Sequence, residues 1–304
     1  MNNEIKGFSD GHQFRSANGY VDTQKLFERL GLSSEVINRT PTVGVNIAFL
    51  ARMNSVQSLS QDIGGRDLNV TILGISTADG PSDFQKLLKG LGAGKVSTTA
   101  IDLSDGIFSE IERSGLDEVK CLLQDARDTG LAGASQDFNL RDHIGNCCPP
   151  QIDRQIDLEA SRILKPGAVS IVNITTSDFL AESENRRIIG FDEMKAIVGD
   201  EVVKALGENI YDLKELHEAF PELDVESLRG LIMEIEPDRS FVVFGEDEQG
   251  HGEWFRTIED HKKTWEADGF EVVEIASRKG NDSHDPPLVC NRHNVVLKKF
   301  PNKA

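Results

Sequence analysis

Apolar positions along this chain follow two periods, and segments with one period alternate with segments of the other. Short β-branched runs predict strands, which lie at Leu68–Leu73, Lys95–Ile101, Val119–Leu123, Asp137–Leu140, Ala168–Ile174, Phe270–Ala276 and Asn294–Lys299. Apolar residues three or four positions apart predict helices, which lie at Asp22–Leu30, Val43–Leu59, Asp83–Leu91, Ile107–Arg113, Gln151–Leu164 and Ile258–Asp268. Strands alternating with helices predict an α/β fold, a doubly wound, mostly parallel sheet with helices on both faces.

The alternation breaks between Thr175 and Arg239, where the chain is acidic and favours helices. Helices are predicted at Phe191–Leu206, Leu213–Phe220 and Val225–Ile235, followed by a short strand at Phe241–Phe244. We therefore expect a mostly helical insertion at about 175–240, inside a domain of residues 61–304. Residues 1–60 are expected to form an N-terminal arm and helices that cover the site.

The sequence does not determine how the last two predicted strands pair with each other. A short link would indicate an antiparallel hairpin. The link between these strands, Ser277–His293, is long and polar.

The turn after the first strand, in VTILGISTADGPSDF, has very little side chain. Small residues recur at Gly74, Ser76, Ala78 and Gly80. In open α/β sheets ligands bind at the carboxyl ends of strands, and the N–H groups at the start of the next helix can face a polar or anionic ligand. The turn therefore favours a close approach by a ligand, although a strand that ends in glycine is often only a tight turn.

Two carboxylates follow the next two strands. Asp102 ends the second strand and can accept hydrogen bonds from ribose hydroxyls. Asp125 follows the third strand in LLQDARD, where its carboxylate or a neighbouring backbone group can accept from the exocyclic amine of adenine. Each acid alone is also typical of a helix cap or a solvated strand end, but three suitable strand ends in succession favour a nucleoside site.

Five segments stand out as a set, in the chain order TILGISTADG, TAIDLSD, LLQDARD, LEASRILKPGAVSIV and WEADGFEVVEI. Together they resemble the motifs of class I S-adenosylmethionine-dependent methyltransferases. The resemblance implies a seven-stranded Rossmann-like methyltransferase sheet and S-adenosyl-L-methionine as cofactor, without a metal. The cofactor-binding residues that it implies are Gly74, Ile75, Ser76, Thr77, Ala78, Gly80, Asp102, Leu103, Asp125, Ala126 and Arg141.

The sequence departs from the family pattern at three places. Ser76 and Ala78 stand where the first motif usually has glycines, and Ala168 replaces the second glycine of the KPGG turn. The fourth motif region, FNLRDHIGNCCPP, does not identify the methyl acceptor.

Residues after the fourth strand lie beside the transferred methyl group in such folds, as the resemblance implies. His143 is the candidate base because its ordinary pKa lies near neutrality, and Asp142 is the candidate to orient it or to bind substrate. The alternative is that both residues cap the following turn.

Composition narrows the classes of partner. Lys plus Arg number 33 against 51 Asp plus Glu, and the net charge of −18 opposes binding to nucleic acid or anionic lipid. We find no apolar run of membrane-spanning length and no secretory signal, and the four cysteines, which lack metal-ligand spacing, fit a reducing cytoplasm. A small-molecule substrate is expected, and the insertion is either a cover for it or the surface of a homodimer.

Three functions remain open. The leading hypothesis is a methyltransferase that acts on a small molecule or a protein side chain. An NAD-type oxidoreductase is disfavoured because the turn lacks GxGxxG, and the 28 residues from Gly74 to Asp102 exceed the separation of about 20 typical of that class. The third is a methyltransferase-like protein without catalysis, which serves as a binding or regulatory partner.

Overall fold

The computed structural model describes most of the chain beyond the N-terminal segment. The described residues are 50, 53–75, 79–103, 108–113, 119–142, 144–179, 186–237, 240–245, 250–281 and 289–301. The predicted helix Asp22–Leu30 lies outside them, so the proposed N-terminal arm stays a prediction.

A seven-stranded sheet forms the centre of the molecule. Its strands are β1 (Leu68–Leu73), β2 (Val96–Asp102), β3 (Val119–Leu123), β4 (Gln136–Asp142), β5 (Leu164–Thr176), β10 (Phe270–Asn281) and β11 (Val289–Lys299), in the order β10-β11-β5-β4-β1-β2-β3. β1 to β5 are parallel, and β11 is antiparallel to both β5 and β10. The predicted doubly wound, mostly parallel sheet is confirmed, and it agrees with the sheet that the resemblance implied.

Helices cover both faces of this sheet. They are α1 (Asn54–Ile63), α2 (Asp79–Gly90), α3 (Phe108–Arg113), α4 (Pro150–Ile163) and α8 (Ile258–Ala267). Side chains of β5 alternate between the faces: Ile171 packs in the cluster under α1 and α2, whereas Val172 packs in the cluster under α4 and α8. Burial on both faces explains why the sequence shows continuous apolar runs here rather than alternation.

The last two strands form the hairpin that the sequence left open. They pair without interruption from Ser277↔His293 to Asn281↔Val289, so most of the polar link is strand. Its polar residues stay compatible with a strand because pairing satisfies their backbone groups whatever their side chains are.

The insertion differs from the mostly helical segment that was expected. It contains α5 (Phe191–Val198), α6 (Asp200–Glu208) and α7 (Leu213–Ala219), and also a four-stranded sheet in the order β6-β7-β8-β9. The strands of that sheet are β6 (Arg187–Ile189), β7 (Leu231–Glu236), β8 (Ser240–Phe244) and β9 (Gly252–Arg256), so the insertion runs past position 240.

The helix predicted over Val225–Ile235 is wrong. Val225–Leu228 is a short 3-10 turn, and β7 follows it, paired with β6 on one side and β8 on the other. Ile232 packs on one face of this sheet and Met233 on the other, which is the period of a strand. The Glu and Met residues of this segment favour helices, but pairing with strand β8, which contains FVVF, outweighs that preference.

The helix predicted over Val43–Leu59 is interrupted in its described part. Leu50 is helical, Met53 is extended, and α1 begins at Asn54, while residues 43–49, 51 and 52 lie outside the described residues. The Glu274 carboxylate on β10 accepts a hydrogen bond from the Ser55 N–H at 2.7 Å. A residue more than 200 positions away thus satisfies an N–H of the first turn, and no local pattern reports it.

Among the described segments, no helix combines the length and the apolar character needed to cross a membrane.

Candidate functional site

The carboxyl ends of four neighbouring strands stand side by side. Leu73 of β1 is in register with Ile101 of β2 and with Arg141 of β4, and Asp102 is in register with Leu123 of β3. Gly74, Asp102, Asp125 and Asp142 therefore end or follow adjacent strands spaced about 4.8 Å apart. The structure brings the predicted turn and both predicted acids to one edge of the sheet.

Gly74 has a conformation that other residues rarely adopt. Its φ is +75°, and a Cβ on it would lie 3.2 Å from the Cβ of Ile144. Ile144 begins the 3-10 turn Ile144–Asn146 that follows β4. The sequence correctly indicated a close approach at this glycine, but the approaching group at Gly74 itself is this turn of the protein.

Asp102 joins the end of β2 to the turn after β1. Its Oδ2 accepts a hydrogen bond from the Ile75 N–H at 2.9 Å, and the residue is buried. Leu103 is half-buried beyond it, and Gly80 is buried in the first turn of α2. Ser76, Thr77 and Ala78 lie outside the described residues, so their predicted contacts stay predictions.

Asp125 has a neighbouring partner for both of its carboxylate oxygens. Arg127 donates from Nε to Oδ1 at 3.0 Å and from Nη2 to Oδ2 at 2.6 Å. Partial burial raises the pKa of Asp125, but the hydrogen bonds and charge of Arg127 outweigh it, so the pKa lies below its ordinary value. Ala126 is buried among Leu73, Ile101 and Ile144. Of the two contacts considered for adenine, the arrangement favours the backbone of this loop over the carboxylate.

The side chain of Arg141 faces α4. Its side chain is 1% exposed, and its guanidinium pairs with Asp153 and Asp157, which lie one turn apart on α4. A guanidinium at this depth needs paired carboxylates because burying an unpaired charge is costly. We therefore remove Arg141 from the cofactor-binding set. The spacing of Asp153 and Asp157 on the buried face of a predicted helix was a signal that sequence reasoning missed.

The buried charges extend to α8 and β9. Arg256 Nη1 lies 3.5 Å from Asp153 Oδ2, and His261 Nδ1 lies 3.7 Å from the same oxygen. Desolvation, together with the charges of Arg256 and Arg141, holds the pKa of His261 well below its ordinary range. Its ring stacks on Trp265 with centroids 5.3 Å apart. This neutral histidine received no role in the sequence analysis.

Asp142 is buried at the end of β4, where its Oδ1 accepts a hydrogen bond from Asn173 Nδ2 at 2.9 Å. His143 lies outside the described residues. The proposed interaction between the two therefore stays a prediction.

Asn146 connects the insertion to this edge of the sheet. Its Oδ1 accepts from the Thr175 N–H at 2.9 Å, and its Nδ2 donates to the carbonyls of Thr175 at 2.8 Å and Trp254 at 3.1 Å. One side chain thus joins the turn after β4, the end of β5 and strand β9 of the insertion.

Tyr211 is an aromatic residue of the insertion that packs against the core of the main sheet. It packs on the cluster that contains Ala126 and Cys148 and also on the core of the insertion. Its ring meets Trp254 edge-on with centroids 6.2 Å apart. Burial, with a smaller effect of Cys148, raises the pKa of its hydroxyl, so Tyr211 stays protonated and can donate a hydrogen bond.

The described residues contain no group of three or more His, Cys, Asp or Glu side chains arranged to hold a metal ion.

No protein-family model matches the chain, and no curated protein matches it. Solved structures of methyltransferases are similar to it in fold. An S-adenosylmethionine-dependent methyltransferase from Methanosarcina mazei is 15% identical, with a TM-score of 0.48, and the match covers 80% of this chain and 97% of that one. Another from Mesorhizobium loti is 12% identical, with a TM-score of 0.48, and the match covers 83% and 100%.

The N-methyltransferase NodS from Bradyrhizobium japonicum WM9, solved with S-adenosyl-L-homocysteine, is 10% identical, with a TM-score of 0.47, over 91% of this chain and 98% of that one. At these identities the likenesses concern fold. The assignment of fold rests on the strand order of the sheet, and arguments about function rest on the residues at the strand ends.

Proposed function

We propose that the protein is a methyltransferase that uses S-adenosyl-L-methionine and methylates a small molecule or a protein side chain. The observation that carries the proposal is the alignment of three strand ends. The turn at Gly74, the Asp102 carboxylate and the Asp125–Ala126 loop follow β1, β2 and β3, which are adjacent and in register.

The residues present fit the chemistry of this cofactor. A carboxylate can accept hydrogen bonds from vicinal hydroxyls, and Asp102 lies beside the turn whose N–H it already holds. Ala126 supplies a small apolar surface, and the backbone around it supplies donors and acceptors for a base edge. The described residues that we propose to hold the cofactor are Gly74, Ile75, Gly80, Asp102, Leu103 and Ala126, together with the backbone of Asp125.

When bound, the cofactor supplies a methyl group that is already activated by the positive charge on sulfur. The protein's contribution is then proximity, alignment and a proton acceptor. Asn173 holds Asp142 in one orientation at the end of β4, directly before the proposed base His143. The insertion, docked through Asn146, would exclude water from the acceptor.

Binding measurements test the proposal. Calorimetric titration with S-adenosyl-L-methionine, S-adenosyl-L-homocysteine and NAD should show micromolar binding of the first two, lost in Asp102→Ala. The exposed acid Asp62 on α1 offers the matched control, since Asp62→Ala should bind normally. Binding of NAD alone would indicate the oxidoreductase, and binding of none of the three would favour the non-catalytic protein.

Methyl incorporation from labelled cofactor into a cell extract then tests the base. We expect His143→Ala to lower the rate about 100-fold or more while cofactor affinity stays nearly unchanged. Full activity of that variant would remove His143 from the catalytic residues.

A further inference from the structure

A row of four hydrogen-bonded polar side chains crosses the carboxyl end of β5, which lies two strands from β1 in the sheet. Ser277 Oγ lies 2.8 Å from His293 Nδ1, and His293 Nε2 lies 2.9 Å from Thr176 Oγ1. Thr176 Oγ1 donates to Asp178 Oδ2 at 2.6 Å. The row begins on β10, crosses β11 and β5, and ends on the 3-10 turn Ser177–Phe179.

The donors and acceptors of this row can be ordered from its acidic end. Because the Thr176 hydroxyl donates its hydrogen bond to Asp178, its oxygen accepts the hydrogen bond from His293, which places the imidazole proton on Nε2. His293 Nδ1 is then the acceptor, and Ser277 donates its O–H to it. The N–H of Ile258, the first residue of α8, also donates to Asp178 Oδ2 at 2.9 Å and holds the carboxylate in place.

The two ends of this row of side chains differ in solvent exposure. Thr176 and His293 are buried, whereas Ser277 is exposed on the edge strand of the sheet. Ser277 and His293 are paired across β10 and β11, so the backbone fixes their separation. Desolvation lowers the pKa of His293 although Asp178 opposes it, and the ring is therefore unprotonated at neutral pH.

We propose that Ser277 is a nucleophilic serine, with His293 as its general base, and that it reacts with carboxylic esters in an activity separate from methyl transfer. The nucleophile, the base and the polar groups behind the base stand in the order that serine acyl transfer needs. Thr176 stands between base and acid, since His293 Nε2 lies 3.9 Å from Asp178 Oδ2. Asp178 is thus a positioning residue that acts through Thr176.

The step balances without a further reactant. Ser277 Oγ forms a bond to the carbonyl carbon as its proton passes to His293 Nδ1. The bond from that carbon to the alkoxy oxygen breaks, and the same proton leaves with the alcohol. Water then forms a bond to the acyl carbon as its proton passes to His293 Nδ1. The bond from that carbon to Ser277 Oγ breaks, the proton returns to Oγ, and the carboxylic acid leaves.

Covalent labelling tests the proposal on the full chain and needs no cofactor. An alkyl fluorophosphonate should form an adduct on Ser277 with loss of fluoride, located by peptide mass spectrometry. Ser277→Ala should remove this adduct. Ser58→Ala should not, although Ser58 is also an exposed serine with a hydrogen-bonded hydroxyl.

Variants of the base and of the positioning residue give the second part of the test. We expect His293→Gln to slow labelling of Ser277 by about 100-fold. Asp178→Asn should slow it less, and Asp178→Glu should restore part of the rate, which a purely structural role would not. No adduct on Ser277 in the folded wild-type protein, or equal rates in wild type and His293→Gln, would overturn the proposal. Neither result bears on the titration with S-adenosyl-L-methionine.

Discussion

The carboxyl ends of β3 and β4 carry the same two residue types in opposite surroundings. After β3, Asp125 and Arg127 pair within one loop, with side chains 29% and 39% exposed. At the end of β4, Arg141 pairs with Asp153 and Asp157, and all three side chains are at most 2% exposed. An exposed pair contributes little to stability and remains within reach of a ligand, whereas breaking a buried set leaves an uncompensated charge. The buried ion pairs of Arg141 are therefore structural, whereas the exposed pair of Asp125 and Arg127 lies where a ligand can bind.

The largest effect is expected when the buried set, the ion pairs of Arg141 with Asp153 and Asp157, is broken. Asp153→Ala leaves the Arg141 guanidinium with one carboxylate in the core and should lower the free energy of unfolding by about 3–5 kcal/mol. Urea unfolding measures this change. The matched Asp125→Ala should cost less than about 1 kcal/mol, and similar costs for the two variants would contradict the comparison.

A second test addresses the contact between Gly74 and Ile144, which lies in the turn after β4. Gly74→Ala puts a Cβ against Ile144 in a left-handed conformation and should lower the free energy of unfolding by about 1–3 kcal/mol. Gly90→Ala on α2 is the control, because a Cβ there meets nothing within 4 Å. Equal stabilities of the two variants in thermal or urea unfolding would show that Gly74 is not constrained by its packing.

The buried set should also respond to acid. The pKa of His261 is held below its ordinary value, so the unfolded chain binds a proton before the folded protein does. Stability is then fully present above about pH 6.5 and falls with decreasing pH, by up to about 1.4 kcal/mol for each pH unit. His261→Gln should flatten the pH profile of unfolding in this window, while the exposed His217→Gln should leave it unchanged.

The smallest effect on stability is expected for the exposed ion pair of Asp125 and Arg127. The pKa of Asp125 is lowered, so its contribution is present above its ordinary pKa of about 3.9 and is lost as the pH falls through the lower value in the folded protein. Asp125→Asn should lower the free energy of unfolding by less than about 1 kcal/mol near neutral pH and should leave it unchanged in strong acid. A constant difference across the whole pH range would exclude the charge pair as its cause.

The strand ends show how far the sequence could predict the site. Gly74, Asp102 and Asp125 follow apolar runs, and parallel strands bring such ends to one edge, so their proximity was predictable. The role of Arg141 was not, because a polar residue at a strand end faces either the cleft or the neighbouring helix. Its direction followed only when α4 brought Asp153 and Asp157 beneath it.

The row of hydrogen-bonded side chains from Ser277 to Asp178 could not be predicted from the sequence either. It needs the register of β10, β11 and β5, and the long polar link between the last two strands concealed that pairing. The same holds for β7, whose helix-favouring residues became a strand through their neighbours on both sides.

The sequence by itself determined the central sheet, its helices and the order of groups at the strand ends, because apolar period and turn chemistry are local properties of the chain. Only the tertiary structure decided which charges are buried, where α1 begins and how the insertion folds. Those outcomes depend on partners far apart in the chain, and their free energy comes from pairing and desolvation that no single segment contains.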